Sequence, residues 1–332
     1  MSKEQRLRLA FAGYVANATT QFRPTSGFII TLDGQKHRIN LKLLYSTIVS
    51  IVDELRKMIS AHESVPPKLI LNSHCPLCPF RDHCRKEAED EDNLSLLGKM
   101  TQKIIRRYEK KGIFTVKQLS YVFNPRRRRK KSVAANSVFN LELQALALRT
   151  EKIYLHETPL IPTNQVELFL DIEGIPDQCF HYLIGLIAVS KDAIKTYSFW
   201  ANTHDDEATI FQNFLTVAAT YENAPIYHYG NYEPKAFSRI ARTHGLNVEA
   251  IEKRFVNVNS FIYGKVYFPS KSNRLKDLGA LIGATWDSPE ASGLQSLVWR
   301  YQWEENRDDQ LKQKLLRYNQ DDCQALKRLL DE

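Results

Sequence analysis

The chain has 332 residues, 43% of them hydrophobic and 25% charged, as in a soluble globular protein with a sizeable core. No apolar run approaches the roughly 20 residues that span a bilayer, and the N-terminus lacks a signal-peptide block, so a cytoplasmic protein without membrane contact is expected. Residues 166–332 hold 18 basic and 23 acidic side chains, a net of −5. The whole chain holds 46 basic and 38 acidic side chains, so residues 1–165 hold the remaining 28 basic and 15 acidic ones, a net of +13. A basic half indicates a phosphate-rich partner, with a chance surface property as the alternative.

The N-terminal residues 1–65 are predicted to form a small α+β segment, too small for an independent enzyme domain. A helix is predicted from Arg6 to Asn17, a β-hairpin from Gly27 to Ile39, and an amphipathic helix from Leu41 to Ser60.

A cysteine-rich knuckle occupies residues 66–92. An odd total of five cysteines in a cytosolic chain argues against a disulfide framework. Thiolates at the spacing found here suit iron–sulfur clusters or zinc. The hypotheses are an iron–sulfur cluster, a zinc site completed by His74 or His83, and no metal. The candidate ligands are Cys75, Cys78 and Cys84.

Residues 93–135 contain two predicted short helices broken at Gly98 and Gly112, a pattern that resembles a helix-hairpin-helix unit. Glycine turns of this kind let backbone N–H groups approach DNA phosphates. A run of six cations follows and predicts further phosphate contacts, with a solvated linker as the alternative. The run consists of Arg126, Arg127, Arg128, Arg129, Lys130 and Lys131. Residues 136–165 are predicted to be a linker.

From residue 166 the pattern changes to that of an α/β domain. Three strand signals are followed by a helix, a strand and a helix, which is the order of an RNase H-like core. The predicted segments are 166–173, 182–190, 194–201, 206–220, 224–230 and 233–244. The predicted fold class is therefore α/β: a C-terminal RNase H-like mixed sheet flanked by helices over residues 166–332, preceded by a small α+β remnant and a helical region.

Paired acids occur at both ends of this domain. Asp171 and Glu173 lie two residues apart on one face of the first strand. The last predicted helix, Leu311 to Leu330, carries Tyr318 and Asp322 one turn apart on its apolar stripe. Inward carboxylates are costly unless they are paired, and a divalent cation is the usual partner of several that converge.

A third acidic element is expected between these two. Glu233 follows a buried strand, and Pro234 is suited to the first turn of the next helix. The alternative is a plain helix-start acid favoured by the macrodipole.

Three short motifs together resemble the DEDD exonucleases, in the subclass with a tyrosine in the final motif. They are Asp171-x-Glu173, Asn231-Tyr232-Glu233 and Tyr318-x-x-x-Asp322. The resemblance implies that four acids bind two Mg²⁺ or Mn²⁺ ions and that Tyr318 orients the attacking water. The implied metal ligands are Asp171, Glu173, Glu233 and Asp322.

This chain departs from that family at two points. The third acid is usually Asp after an aromatic residue, and here it is Glu233. Asn257 and Asn259 stand where related domains often carry an acid. Asp321 neighbours Asp322 but points about 100° away on the helix.

Nearly the whole chain resembles the RecB-like nucleases that end in an RNase H-like domain. Beyond the knuckle and the basic run, the resemblance rests on Tyr182-Leu-Ile-Gly-Leu186, Leu275-Lys-Asp-Leu278 and Tyr318-Asn-Gln-Asp-Asp-Cys323. It implies an iron–sulfur site at the three clustered cysteines, although the fourth, upstream cysteine is missing. In those proteins a PD-(D/E)xK nuclease domain precedes the knuckle. Its Asp and Glu-x-Lys residues are not found here, which predicts a truncated first nuclease.

The sequence therefore predicts a metal-dependent nuclease, a 3′–5′ exonuclease with a two-metal mechanism and with DNA, rather than RNA, as its partner. The alternative is a catalytically inactive nucleic-acid-binding remnant or an adaptor in a repair complex.

Overall fold

The computed structural model describes residues 2–31, 34–60, 68–124 and 139–332. The chain divides into two compact units, Met1–Lys68 and Leu69–Glu332. Among the described helices, none is both long enough and apolar enough to cross a membrane.

The first unit packs two helices against a hairpin. Helix α1 begins at a capping box in which the side chains of Ser2 and Gln5 each bind the other's backbone N–H. Its elements are α1 (Lys3–Thr20), β1 (Ser26–Ile30), β2 (Lys36–Asn40) and α2 (Lys42–Ser60), and β1 pairs antiparallel with β2. They enclose a small core of Ala10, Ile39, Leu41, Tyr45 and Ile48.

The second unit begins with short helices that share a core of their own. Thr101 caps one of them, and Thr115 forms a capping box with Gln118 at the next. The turn between these two contains Gly112 in the left-handed region. The elements are α3 (Arg81–Asp90), α4 (Gln102–Glu109), α5 (Val116–Ser120), α6 (Leu141–Thr150) and β3 (Tyr154–Leu155).

A five-stranded mixed sheet forms the centre of the second unit. The strands lie in the order β6-β5-β4-β7-β8. Strands β4, β5 and β6 are antiparallel neighbours, whereas β7 runs parallel to β4 and β8 parallel to β7. Their bounds are β4 (Val166–Ile175), β5 (Phe180–Ser190), β6 (Ile194–Trp200), β7 (Ile226–His228) and β8 (Phe255–Asn257).

Helices cover this sheet, which confirms the predicted α/β fold class. The helices are α7 (Glu207–Thr220), α8 (Tyr232–Thr243), α9 (Glu249–Glu252), α10 (Val258–Ile262), α11 (Leu275–Leu281), α12 (Gly293–Asn306) and α13 (Asp309–Asp331). Strand β9 (Val266–Tyr267) pairs with β3. The sequence pattern did not predict α12, although it supplies a side chain to the site described below.

The side chains on the two sides of β4 pack into two different hydrophobic cores. Leu168 and Leu170 pack with α7 and α8 on one face. Phe169 packs on the other face, in a core formed with α10, α11 and the C-terminal half of α13. Because strand side chains alternate, Asp171 and Glu173 leave the sheet on the same face as Phe169.

Candidate metal centre

The first two acids of the site come from β4. Asp171 and Glu173 lie on one face, and pairing with β5 shifts register between Glu173 and Gly174. A bulge of this kind re-aims the side chains beside it. The residue that follows Glu173 at this bulge must be glycine, because a Cβ on Gly174 would lie 2.7 Å from the Phe180 carbonyl oxygen and 2.8 Å from the Tyr232 hydroxyl.

The third acid comes from α13, whose apolar stripe is buried against the sheet. Leu315, Leu326 and Leu329 are all buried, and Asp322 lies on the same side of the helix. One carboxylate oxygen from each of three side chains lies within 4.8 Å of the others; the three are Asp171, Glu173 and Asp322. Converging oxygen ligands are the donor set that Mg²⁺ and Mn²⁺ prefer.

Each of the three carboxylates is held by an uncharged donor. The donors come from three separate segments, and each occupies one oxygen of its acid. The hydrogen bonds run from Asn319 Nδ2 to Asp171 Oδ2 (2.6 Å), from Ser296 Oγ to Glu173 Oε2 (3.0 Å) and from Trp286 Nε1 to Asp322 Oδ1 (2.7 Å). Across the described ranges, no Lys or Arg forms an ion pair with any of the three. The acids are thus held in place by hydrogen bonds from uncharged groups and not by ion pairs with basic side chains of the described residues.

A glycine in the neighbouring strand makes room for one of these donors. Gly185 pairs with Asp171 across β4 and β5. A Cβ on Gly185 would lie 1.8 Å from Asn319 Oδ1, so any larger residue would push the Asn319 amide away. The amide can reach Asp171 because this strand position has no side chain.

Burial and mutual repulsion favour the protonated forms of these acids. Burial is the main cause that raises the pKa of Asp171 well above its ordinary value, and the charges of Asp322, Glu173 and Glu233 raise it further. Burial, followed by the charge of Asp322, raises the pKa of Glu173 to about 8. Burial also raises the pKa of Asp322 to about 6, against the hydrogen bond from Trp286. Close carboxylates with raised pKa values are typical of a site that takes up a cation.

Glu233 lies near this group without joining it. It sits in the first turn of α8, where the alternative interpretation also puts it, and it is buried. Its Oε2 lies 3.5 Å from Nδ1 of buried His228, and within the described part of the chain neither atom finds a hydrogen-bond partner. Its charge contributes to the raised pKa values of Asp171 and Glu173, so it lies close enough to interact with both electrostatically.

Tyr318 stands beside the last acid. The side chain is 8% exposed, and its hydroxyl is within hydrogen-bonding range of Asp322. Burial, followed by the charge of Asp322, raises the pKa of Tyr318 well above its ordinary value. The phenol therefore stays neutral and keeps a proton to donate.

The neighbouring polar residues point elsewhere. Asp321 accepts a hydrogen bond from the backbone N–H of Asp287 at 2.9 Å. Asn257 accepts one from the backbone N–H of Gly230 at 3.1 Å, and Asn259 accepts one from Asn273 at 2.6 Å.

A caged arginine anchors the helix that carries Ser296. Arg300, one turn further along α12, is fully buried. Its guanidinium donates to the carbonyl oxygens of Ala201 and Asn202, both at 2.9 Å. Four aromatic rings surround it with centroids 4.5–5.3 Å away: Phe180, Tyr182, Trp200 and Trp303. Cation–π contacts and charge-assisted hydrogen bonds of this kind fix α12 against the ends of β5 and β6.

The three knuckle cysteines are not brought together. Cys75 begins a short 3₁₀ turn, Cys78 is exposed, and Cys84 lies in α3; all three are free thiols. Over the residues that the structure describes, the acidic trio is the one group of three or more potential metal-ligating side chains. The iron–sulfur or zinc site at these thiols therefore stays a prediction.

The predicted DNA-binding region is described only in part. Helices α4 and α5 and the Gly112 turn are present, whereas Arg126–Lys131 lie outside the described residues. The helix-hairpin-helix assignment and the basic run both stay predictions.

Sequence patterns did not indicate the donors that hold the acids. Asn319 precedes Asp322 by three residues, so helical spacing could have placed it on the same face. Trp286 and Ser296 reach the site from a loop and from α12, and only the tertiary fold brings them there.

The comparisons agree with this geometry. A protein-family model described as RNase_H superfamily matches residues 168–332, from β4 to the end of α13. No curated protein and no solved structure matches the chain significantly. The family match and the mixed sheet together show that residues 168–332 have an RNase H-like fold.

Proposed function

We propose that the chain is a metal-dependent nuclease whose active site is the Asp171–Glu173–Asp322 centre. The observation that carries the proposal is the convergence of the three carboxylates within 4.8 Å in a domain with an RNase H-like fold. Their raised pKa values, and hydrogen bonds that come from uncharged donors, are typical of a site that takes up a cation.

The donor set fits a site for two divalent ions. Asp171, Glu173 and Asp322 would hold them, and the partnerless Oε2 of Glu233 is the fourth candidate ligand. Two such cations, when bound, activate a water molecule and stabilise the leaving oxygen of a phosphodiester. The chain's part is to fix the carboxylates, since Asn319, Ser296 and Trp286 each hold one oxygen of a different acid.

Tyr318 is assigned the role of orienting the attacking water. Its neutral hydroxyl stands beside Asp322, and the packed ring leaves it little freedom. A fixed phenol can bind a water through one lone pair or through its proton and present it in a constant direction.

DNA is the proposed substrate, attacked from the 3′ end. This choice rests on the resemblance of the acid motifs to the DEDD exonucleases, and the net of +13 over residues 1–165 is consistent with a polyanionic substrate.

One observation favours a second candidate, a nucleic-acid-binding protein without hydrolysis. Glu233 stays outside the group of three. If it cannot reach a cation, the centre lacks the fourth acid that the resemblance implies.

Cleavage of end-labelled single- and double-stranded DNA and RNA with Mn²⁺ tests the proposal. Wild-type protein should shorten DNA from the 3′ end and stop at a phosphorothioate-protected 3′ terminus. Asp171→Ala should lose activity, whereas the matched exposed acid of α13, changed by Asp331→Asn, should leave it intact. Metal-dependent cleavage that survives both Asp171→Ala and Asp322→Asn would mean that the activity belongs elsewhere.

A further inference from the structure

A cation-lined cleft lies in the first unit, where the α1–β1 connection meets the start of α2. It consists of two cavities of about 330 Å³ and 300 Å³ that share Thr25 and Lys42. The other lining residues are Arg23, Pro24, Ser26, Arg38, Asn40 and Tyr45.

The charge of this cleft is one-sided. Arg23, Arg38 and Lys42 line it, and none of the described lining residues carries a carboxylate. In the described portion of the first unit, none of these three cations takes part in an ion pair. Residues 1–68 hold 10 basic and 5 acidic side chains, a net of +5. Cations gathered around one opening repel each other unless an anion lies between them.

The frame around the cations is fixed. Tyr45 is 3% exposed and its hydroxyl donates to the Pro24 carbonyl at 2.6 Å. The Arg23 guanidinium stacks over the Tyr45 ring at 4.6 Å. The backbone N–H of Leu41 donates to the Thr25 carbonyl at 3.0 Å, which ties the start of α2 to the start of the hairpin. A ligand would therefore meet a preformed opening.

The chemistry of the lining suits a phosphate group. The hydroxyls of Thr25 and Ser26 and the amide of Asn40 can donate to phosphate oxygens, and the cations supply the countercharge. Lys42 is the first residue of the 19-residue helix α2, whose N-terminal dipole has the same sign as the cations.

We propose that this cleft binds a phosphodiester group of a nucleic-acid backbone, as a phosphate site in a different unit from the acidic centre. Phosphate binding follows from the cleft itself, and the choice of nucleic acid rests on the proposed function. The same chemistry would take free phosphate, so the test separates the two sources.

The experiment measures binding of a fluorescent single-stranded DNA to the full-length chain by anisotropy, in EDTA and over a range of NaCl concentrations. Without metal no cleavage occurs, so the outcome is independent of whether the acidic centre is active. Arg38→Gln/Lys42→Gln removes two charges and keeps the side-chain stems. The matched control, Lys3→Gln/Lys57→Gln, removes two exposed cations of the same unit that do not line the cleft.

The cleft variant should bind more weakly at low salt, and the slope of log affinity against log salt should fall by about 1.4, that is roughly 0.7 per lost phosphate contact. The control pair should lose less than half of that slope. Equal slopes for the two variants would overturn the proposal. It would also be overturned if the cleft variant bound DNA normally but lost thermal stabilisation by inorganic phosphate or binding to phosphatidylglycerol vesicles.

Discussion

Three uncharged donors hold the carboxylates of the acidic centre. Asn319, Ser296 and Trp286 each donate to one oxygen of a different carboxylate, and Asp322 also has the Tyr318 hydroxyl within hydrogen-bonding range. A lysine or arginine in the same place would supply the countercharge itself and compete with a cation. Outer partners of this kind orient metal ligands, and their loss costs affinity more than fold.

Ser296→Ala is expected to lower Mn²⁺ affinity about tenfold, because Glu173 loses its only donor to Oε2 among the described contacts. Isothermal titration measures this without turnover. Ser292→Ala is the control: it removes the N-cap of the same helix, which costs about 1 kcal/mol of stability, and does not touch Glu173. Similar Mn²⁺ affinities for the two variants would show that Ser296 matters only to α12.

Tyr318→Phe removes the hydroxyl and keeps the buried ring. The variant should cleave DNA at least tenfold more slowly while binding Mn²⁺ nearly as well as the wild type, as expected of a group that orients water. Single-turnover cleavage and Mn²⁺ titration provide the two measurements. If metal affinity falls in parallel with the rate, the hydroxyl serves Asp322 and not the water.

Helix α12 shows how an element that carries none of the acids can help to position one of them. It adds one side chain, Ser296, to the centre, and the caged Arg300 one turn away sets its position. Strand β5 has a comparable effect through a missing side chain, since Gly185 admits the amide of Asn319. Both elements are structural neighbours of the acids and neither carries one.

Arg300→Ala is expected to lower the free energy of unfolding by about 3 kcal/mol or more, because it empties an aromatic cage and removes two hydrogen bonds to backbone carbonyls and the ion pair with Glu304. Urea unfolding followed by tryptophan fluorescence measures the loss. Arg307→Ala is the matched control, since Arg307 also stacks on Trp303, at 4.3 Å, and forms the C-cap of α12. Its loss should cost about 1 kcal/mol or less; equal losses would mean that burial of Arg300 adds nothing.

The entire chain should become less stable as pH rises when metal is absent. In the folded state the pKa of Glu173 is raised from 4.5 to about 8. Between those values the folded chain keeps a proton that the unfolded chain has released, so the free energy of unfolding falls with rising pH.

Calorimetric scans in EDTA from about pH 5 to about pH 8 test this. Glu173→Gln cannot titrate at this position, so its Tm should fall less than that of the wild type. Glu249→Gln, which changes an exposed acid of α9, should keep the wild-type slope. Parallel profiles for all three proteins would contradict the linkage.

The fold of residues 166–332 could be predicted because its strands and helices have clear periods. Strand alternation placed Asp171 and Glu173 on one face, and helical spacing placed Tyr318 with Asp322. The supports could not be predicted in the same way. The sequence around a serine, a tryptophan or a glycine does not indicate which residue it contacts. These contacts join residues up to 134 positions apart, as between Gly185 and Asn319.

In the first unit, the helices and strands could be predicted from the sequence, but the cleft could not. The helices and the hairpin of the first unit follow from local pattern. Its cation-lined cleft depends on how Arg23, Arg38 and Lys42 meet in space, and charge counting gives only the overall sign.

Burial of the acids also ties metal uptake to acid release. The carboxyl of Glu173, whose pKa is raised to about 8, must lose its proton before its oxygen can bind a metal ion. Each metal ion that binds at neutral pH should therefore release protons into the buffer. Titrations in buffers of different ionisation enthalpy would reveal this exchange as heats that depend on the buffer. Metal affinity should therefore weaken as pH falls, because protons and the cation compete for the same carboxylate oxygens.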